Sequence, residues 1–178
     1  FQRYLSIDPF EISDEALEKK ACELTAYTGS KMCRDDYLNL LLGICIEPQL
    51  GKAYEGRLNP VFLYEYPPSQ ASLAKVSRSK EGVPVAQRFE LYVNGLELAN
   101  GYHELTDIHE QKNRFAIEDA KRENQSGGER ISDQRFLDAL EHGLPNCAGV
   151  ALGLDRILML KMKAKKISDV LSFDFERA

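Results

Sequence analysis

Residues 88–105 read RFELYVNGLELANGYHEL, and this stretch decides how the chain folds. The pair Asn94-Gly95 is the strongest short-range hairpin signal in the sequence, because both residues tolerate the positive φ angles that two-residue turns require. Apolar and polar residues alternate before and after the pair, which is typical of strands with two different faces. We therefore predict an antiparallel hairpin with strands over 86–93 and 96–105.

The turn determines which side chains share a face. A two-residue turn pairs Val93 with Leu96 and Glu90 with Ala99, so Glu90 and Glu97 become diagonal neighbours about 7 Å apart between backbones. One face is wholly apolar and is expected to pack on the core: Phe89, Leu91, Val93, Leu96 and Leu98. The other face is polar: Arg88, Glu90, Tyr92 and Glu97.

Two neighbouring carboxylates on one face allow two interpretations. A magnesium ion that bridges Glu90 and Glu97 to phosphate oxygens would remove their mutual repulsion. Alternatively, the face is solvated, as polar hairpin faces commonly are, and Arg88 neutralises the pair at the surface. The pattern alone leaves both open.

The returning strand carries further polar residues, Asn100, Tyr102 and Glu104. Strict alternation puts them opposite Glu97, but a bulge near Asn100-Gly101 would turn them toward the same pocket. Glu104 could then pair with a ligand ammonium group. The alternative is an exposed carboxylate at a strand end with no ligand.

The elements around the hairpin favour an α+β fold, with an antiparallel β-sheet flanked by helices. Helices are predicted after Ser13, over 37–45, 107–124 and 154–162, and after Ser132, with a loop over 125–130. Further strands are predicted over 61–66 and 147–151. The apolar stripe of the second helix is Tyr37, Leu40, Leu41, Ile44 and Cys45. Residues 154–162 are apolar nearly all round, which predicts a buried helix.

Composition narrows the class of protein. The 178 residues carry a net charge of −5 with both signs interspersed, so a large nucleic-acid footprint is not predicted. The four cysteines form no CxxC pair and are expected to be reduced core thiols of a cytoplasmic protein. The longest apolar stretch, 150–160, contains two charges and is too short to span a bilayer.

Two blocks resemble a known family. Residues 88–105 resemble the metal- and amino-acid-binding hairpin of lysyl-tRNA synthetases, and residues 149–157, GVALGLDRI, look like motif 3 of class II aminoacyl-tRNA synthetases. The resemblance implies that residues 1–178 are the C-terminal part of one class II catalytic domain. Motifs 1 and 2 are not found in the chain.

Within that family, the chain resembles the branch that ligates (R)-β-lysine to elongation factor P. The segment SQASLA at 69–74 and the run SFDFERA at 172–178 are similar to that branch. Ala151 stands where synthetases usually carry glycine, and the extra methyl group would reshape the amino-acid pocket. A change of this size shifts substrate preference by about 1–3 kcal/mol.

The resemblance also implies roles for particular residues. Glu90 and Glu97 would bind Mg²⁺ on the ATP phosphates, and Arg156 would hold the nucleotide in catalysis. The implied ATP-binding residues are Glu97, Leu98, Gly153 and Arg156. The implied substrate-binding residues are Glu104, Asn100, Tyr102 and Ala151. Arg156 could instead be a structural residue that pairs with Asp155 or Glu104.

The implied activity is ATP-dependent formation of a lysine or β-lysine adenylate, followed by transfer to a lysine side chain of elongation factor P. Two alternatives stay open: a fragment of a true lysyl-tRNA synthetase, and a non-catalytic paralogue that binds a ligand. With no basic stripe, tRNA is not the expected acceptor, and no membrane association is expected. The complete protein is expected to be a homodimer, and the 178 residues alone are expected to be inactive.

Overall fold

The computed structural model describes residues 1–126 and 133–175, and it shows a mixed α+β fold. Four strands pair in the order β1 (Val61–Tyr66), β3 (Pro84–Val93), β4 (Leu96–His103) and β5 (Ala148–Leu152), and β2 (Val76–Arg78) also pairs with β3. Strands β2 and β3 are antiparallel, with Val76 opposite Ala86. An antiparallel sheet with flanking helices confirms the predicted fold class.

Four of the five described strands agree closely with the predicted ones, and the short strand β2 was not predicted. Their bounds are β1 Val61–Tyr66, β2 Val76–Arg78, β3 Pro84–Val93, β4 Leu96–His103 and β5 Ala148–Leu152. Only Asn94 and Gly95 separate β3 from β4, and their φ angles are +52° and +75°. The predicted two-residue turn is therefore confirmed.

The α-helices are α1 Gln2–Leu5, α2 Asp14–Thr25, α3 Arg34–Leu41, α4 Ile108–Ser126, α5 Gln134–His142 and α6 Leu154–Met162. Ser13 caps α2 as predicted, because its hydroxyl accepts from the backbone N–H of Ala16 at 3.3 Å. Helix α4 reaches Ser126, so part of the predicted loop over 125–130 is helical. The rest of that loop, the predicted cap Ser132 and residues 176–178 lie outside the described residues.

The chain divides into two compact units. The first comprises Phe1–Tyr64, Phe89–Asn100 and Ala151–Ala178, and the second comprises Glu65–Arg88 and Gly101–Val150. In the first unit, α2 packs on α3, and both helices contribute fully buried side chains such as Leu17 and Leu41.

The apolar stripe predicted after residue 37 is partly wrong. Helix α3 continues as a π-helical turn, Leu42–Ile46, followed by a short 3₁₀ helix that contains Pro48. A π turn holds more residues than an α turn and shifts every later side chain around the axis. Ile46 is consequently buried, and the predicted core residue Ile44 is 53% exposed.

The hairpin turn is fixed to the segment that follows the π turn. The backbone N–H groups of Asn94 and Gly95 donate to the carbonyls of Gly51 and Leu50 at 2.8 and 2.7 Å. In return, the Asn94 side-chain oxygen accepts from the N–H of Ala53 at 2.8 Å. These three bonds hold the tip of the hairpin in place within the first unit.

In the second unit, α4 and α5 pack together, and an aspartate directly precedes the first residue of each helix. The Asp107 carboxylate accepts from the backbone N–H groups of Glu110 and His109, at 3.1 and 2.8 Å, and these bonds lower the pKa of that carboxyl group. Asp133 accepts from the N–H of Phe136 at 3.1 Å and is the cap of α5.

The prediction that residues 154–162 form a buried helix is half right. Helix α6 has the predicted bounds, but none of its residues is buried, and Leu154 and Met162 are 72% and 61% exposed. The apolar sequence calls for a covering layer, which the described part of the chain does not supply. The predicted secondary structure of residues 154–162 is therefore right, and their predicted burial is wrong.

The cysteine prediction is also only partly right. Cys22, Cys33, Cys45 and Cys147 are all free thiols. None belongs to the buried core, however, and Cys33 is exposed, where its thiol donates to the Asp36 carboxylate at 3.1 Å. Across residues 1–126 and 133–175, no helix is both long enough and apolar enough to cross a membrane.

Residues 50–53, which hold the hairpin turn by three hydrogen bonds, are called the clamp. The clamp should not tolerate a side chain at Gly51. Gly51 has a φ of +64°, and a Cβ atom there would stand 2.6 Å from the Tyr92 carbonyl oxygen and 2.8 Å from the Val93 Cα. Because both contacts are backbone, G51A should lower the free energy of unfolding by at least about 2 kcal/mol. Urea denaturation measures the change.

Gly43→Ala is the matched control, because a Cβ atom at Gly43 meets nothing within 4 Å and its φ is not positive. This variant should lose no stability. Equal stability of the two variants would show that the turn does not depend on the clamp.

Candidate active site

The carboxylate of Glu90 is buried, although the polar face of the hairpin was open to a solvated interpretation. Glu90 is 8% exposed, and its neighbour Tyr92 is 2% exposed. The Tyr92 hydroxyl donates to Glu90 Oε2 at 2.7 Å, and the Asn100 amide donates to Glu90 Oε1 at 3.4 Å. Buried carboxylates are held by such partners, so the solvated alternative is wrong for Glu90.

Asn100 lies beside Glu90, which strict alternation from the predicted register would not allow. The structure describes β4 as one continuous strand over Leu96–His103, so the bulge near Asn100-Gly101 stays a prediction. The Asn100 side-chain oxygen is buried and accepts no hydrogen bond from any residue that the structure describes. An unsatisfied oxygen next to a buried carboxylate is a donor set that suits a hard cation such as magnesium.

The start of α6 is joined directly to β4. Arg156 donates to the Glu97 carbonyl at 2.8 Å and approaches the Glu97 carboxylate at 3.4 Å. One residue further along β4, the Leu98 carbonyl accepts from the Gly153 N–H at 2.8 Å. The four residues predicted to bind ATP are thus brought into contact with one another in the first unit.

The alternative raised from the sequence was a structural Arg156 that pairs with Asp155 or Glu104. Among the described residues, the hydrogen bonds of Arg156 go to Glu97. The Arg156 and Glu97 side chains are 43% and 35% exposed, so both remain accessible to a ligand. A surface ion pair of this kind contributes little to stability.

In the second unit, Glu104 is held by its backbone from two sides. Its N–H donates to the Cys147 carbonyl at 3.0 Å, and it forms an isolated bridge with Ala74. The side chain is half-buried and leans over Gly149 of β5. No described residue offers its carboxylate a hydrogen bond or a salt bridge, and it has the charge needed to accept an ammonium group.

Tyr102 and Ala151 complete the set of predicted site residues. The Tyr102 ring lies 5.7 Å below the guanidinium of Arg88, which also covers the Tyr66 ring at 4.1 Å and donates to the Gln70 carbonyl at 3.0 Å. Ala151 belongs to the first unit and is exposed in β5.

Sequence reasoning missed several contributors. Tyr92 was placed on the correct face but was not recognised as the hydroxyl that holds Glu90. Gly149 was quoted within the motif, but no role was assigned to it. The stacked Arg88 was considered only as a partner of the two glutamates. The buried polar positions of a mostly apolar strand are the signal that could have found Tyr92.

Protein side chains do not build a complete metal site on their own. Within residues 1–126 and 133–175, no group of three or more His, Cys, Asp or Glu side chains is placed to hold a metal ion. Magnesium commonly binds through one or two carboxylates together with water and substrate phosphates. Glu90 and Glu97 could therefore hold a magnesium ion if phosphate oxygens complete its coordination.

Comparison with protein families gives the class. Residues 10–177 match the family of class II tRNA synthetases (D, K and N), which covers nearly the whole chain. The chain belongs to this family.

Particular relatives are closer still. The proteins named elongation factor P–(R)-beta-lysine ligase from Hamiltonella defensa subsp. Acyrthosiphon pisum (strain 5AT) and from Salmonella dublin are each 44% identical to this chain over 180 residues. Each alignment covers 100% of this chain and 53% of the relative. The chain therefore spans about half the length of the curated relatives it matches.

Removal of the Tyr92 hydroxyl should expose how tightly Glu90 is held. Tyr92→Phe removes one hydrogen-bond donor from a buried carboxylate, so the free energy of unfolding should fall by about 1.5–3 kcal/mol in chemical denaturation. Tyr64→Phe is the control, because Tyr64 is 63% exposed and should change stability by less than about 0.5 kcal/mol. An unchanged midpoint for Tyr92→Phe would mean that Glu90 does not depend on this hydrogen bond.

Proposed function

We propose that the chain is the C-terminal part of the catalytic domain of an ATP-dependent ligase. The ligase activates lysine or (R)-β-lysine as an adenylate and transfers it to a lysine side chain of elongation factor P in the cytoplasm. Family membership and the names of the relatives support this proposal. The observation that carries it is the contact of Glu97 and Leu98 in β4 with Arg156 and Gly153 at the start of α6.

The nucleotide would bind along this contact. Gly153 has no side chain, so a ligand can approach the backbone closely at the N-terminal end of α6. The exposed part of the Arg156 guanidinium supplies fixed positive charge for ATP phosphates, and Glu97 holds it in position. Glu97 thereby has two roles, orienting Arg156 and offering a carboxylate to the cation that accompanies ATP.

Glu90 and Glu97 would hold that cation, with the Asn100 oxygen nearby. Magnesium, when bound, neutralises charge on the phosphate oxygens. Glu90 can serve this purpose because it is fixed by Tyr92 and Asn100 and is shielded from bulk water, which strengthens its interaction with a cation.

The amino acid would bind through its ammonium group to Glu104. This carboxylate is fixed at its backbone, is half-buried and has no partner among the described residues, so a substrate amine can take it without breaking an existing bond. Asn100, Tyr102 and Ala151 are the further residues proposed to shape the pocket. The methyl group of Ala151 would favour the β-isomer over α-lysine.

The chemistry then follows from positioning. The amino-acid carboxylate attacks the α-phosphorus of ATP, pyrophosphate leaves, and the acceptor amine attacks the resulting activated carbonyl and releases AMP. Orientation and charge neutralisation supply the rate enhancement, and no protein nucleophile is required.

The exposure of α6 supports the proposal that these residues are part of a larger domain. Exposed apolar side chains in the first unit, such as Leu152 of β5 and Leu154 of α6, are typical of a surface that another segment covers. The relatives are about twice as long as the aligned region, which is long enough to supply that segment.

The function can be tested on the complete protein with one experiment. Pyrophosphate exchange should be supported by lysine isomers, and purified elongation factor P should then accept the labelled amino acid in preference to tRNA.

Glu104→Gln removes the charge opposite the substrate amine, so the KM for the amino acid should rise about 10–100-fold while the KM for ATP changes little.

Strong charging of tRNA without transfer to elongation factor P would favour the synthetase alternative. Failure of every lysine isomer to support exchange would overturn the proposed ligase and favour a non-catalytic paralogue.

A further inference from the structure

We infer that Gly149 is a positioning residue whose missing side chain makes the space in which the Glu104 carboxylate lies. The inference rests on the proposed function, because it gives Glu104 the role of binding the substrate amine. It adds Gly149 to the residues that the proposed function uses.

The contact itself is specific. A Cβ atom built on Gly149 would overlap Glu104 Oε1 and would stand 3.5 Å from Glu104 Cδ. Among the described residues, no other atom lies within 4 Å of that Cβ position, apart from the chain neighbours of Gly149. The carboxylate is therefore the group in the described part of the chain that a side chain at Gly149 would displace.

Backbone conformation does not explain the glycine. Its φ lies outside the left-handed region, and it occupies the second position of an ordinary strand, β5. Alanine could adopt this conformation without strain. The space occupied by Glu104 is thus the remaining physical reason for a residue without a Cβ at this position.

A movement of the Glu104 backbone cannot relieve the overlap with a Cβ atom at Gly149. The Glu104 N–H is bonded to Cys147 on the strand side, and Glu104 also pairs with Ala74. An added methyl group at Gly149 would consequently rotate the side chain away from its present position and leave the backbone in place. The structure therefore predicts a loss of amine binding without a loss of fold.

The test measures KM for both substrates in the complete protein. Gly149→Ala should raise the KM for lysine or β-lysine at least about tenfold, as expected for a misplaced charged partner. The KM for ATP should change less than about twofold, because Glu97, Gly153 and Arg156 are untouched. Gly43→Ala, which adds a methyl group in open space, should leave both constants unchanged.

A double-mutant cycle with Glu104→Ala separates positioning from folding. Without a carboxylate at position 104, the methyl group displaces nothing, so adding Gly149→Ala should raise the amine KM no further and should cost no thermal stability. If Gly149→Ala alone fails to fold, restored folding in the Glu104→Ala background would support the same contact.

Other outcomes overturn the inference. Unchanged amine KM in Gly149→Ala, or equal rises in the KM for ATP and amine, would show that Gly149 does not act through Glu104. So would additive effects in the double mutant. If the wild-type protein supports no exchange, the proposed function fails instead, and the stability cycle still tests the contact between Gly149 and Glu104.

Discussion

The tight reversal at Asn94-Gly95 is the constraint on which the rest of the site depends. It brings β4 back beside β3 with only two residues between them. Hydrogen bonds to the carbonyls of Leu50 and Gly51, and one from the N–H of Ala53, hold it in place. A slip of one residue in this hairpin would send every side chain to the opposite face. Glu90 would then lose Asn100 of β4, and Glu97 would be turned away from Arg156.

The same reversal explains how one short stretch can supply two kinds of binding group. Glu90 and Glu97, near the turn, contact a tyrosine and an arginine, and the proposed function assigns them to metal and phosphate. Glu104 follows the end of β4 in the sequence, and the proposed function assigns it to the substrate amine.

Much of the fold could be predicted from the sequence because its signals are local. Asn-Gly specifies its own turn, Ser13 caps its own helix, and alternation identifies a strand without knowledge of its partners. The failures concern irregular backbone and the packing of side chains against distant segments. The π turn moved Ile44 out of the core, and the apolar composition of α6 could not show whether a covering layer was present.

The candidate site follows the same division. The identity of Glu90, Glu97, Glu104 and Arg156 could be predicted from motifs, and the structure brings Glu97 and Arg156 together as expected. The burial of Glu90 and the space left by Gly149 could not be predicted, because each depends on a side chain from another position in the sequence. Local pattern thus identifies the chemical groups, and tertiary packing decides how they are oriented.

The central claim is that Glu90, Glu97 and Arg156 form one site for magnesium and ATP. Calorimetric titration of the complete protein with ATP, in the presence and absence of magnesium, tests it most directly. The account predicts magnesium-dependent binding that weakens at least about tenfold in Glu97→Gln, the residue that contacts Arg156. ATP binding that is equally tight without magnesium and in Glu97→Gln would contradict it.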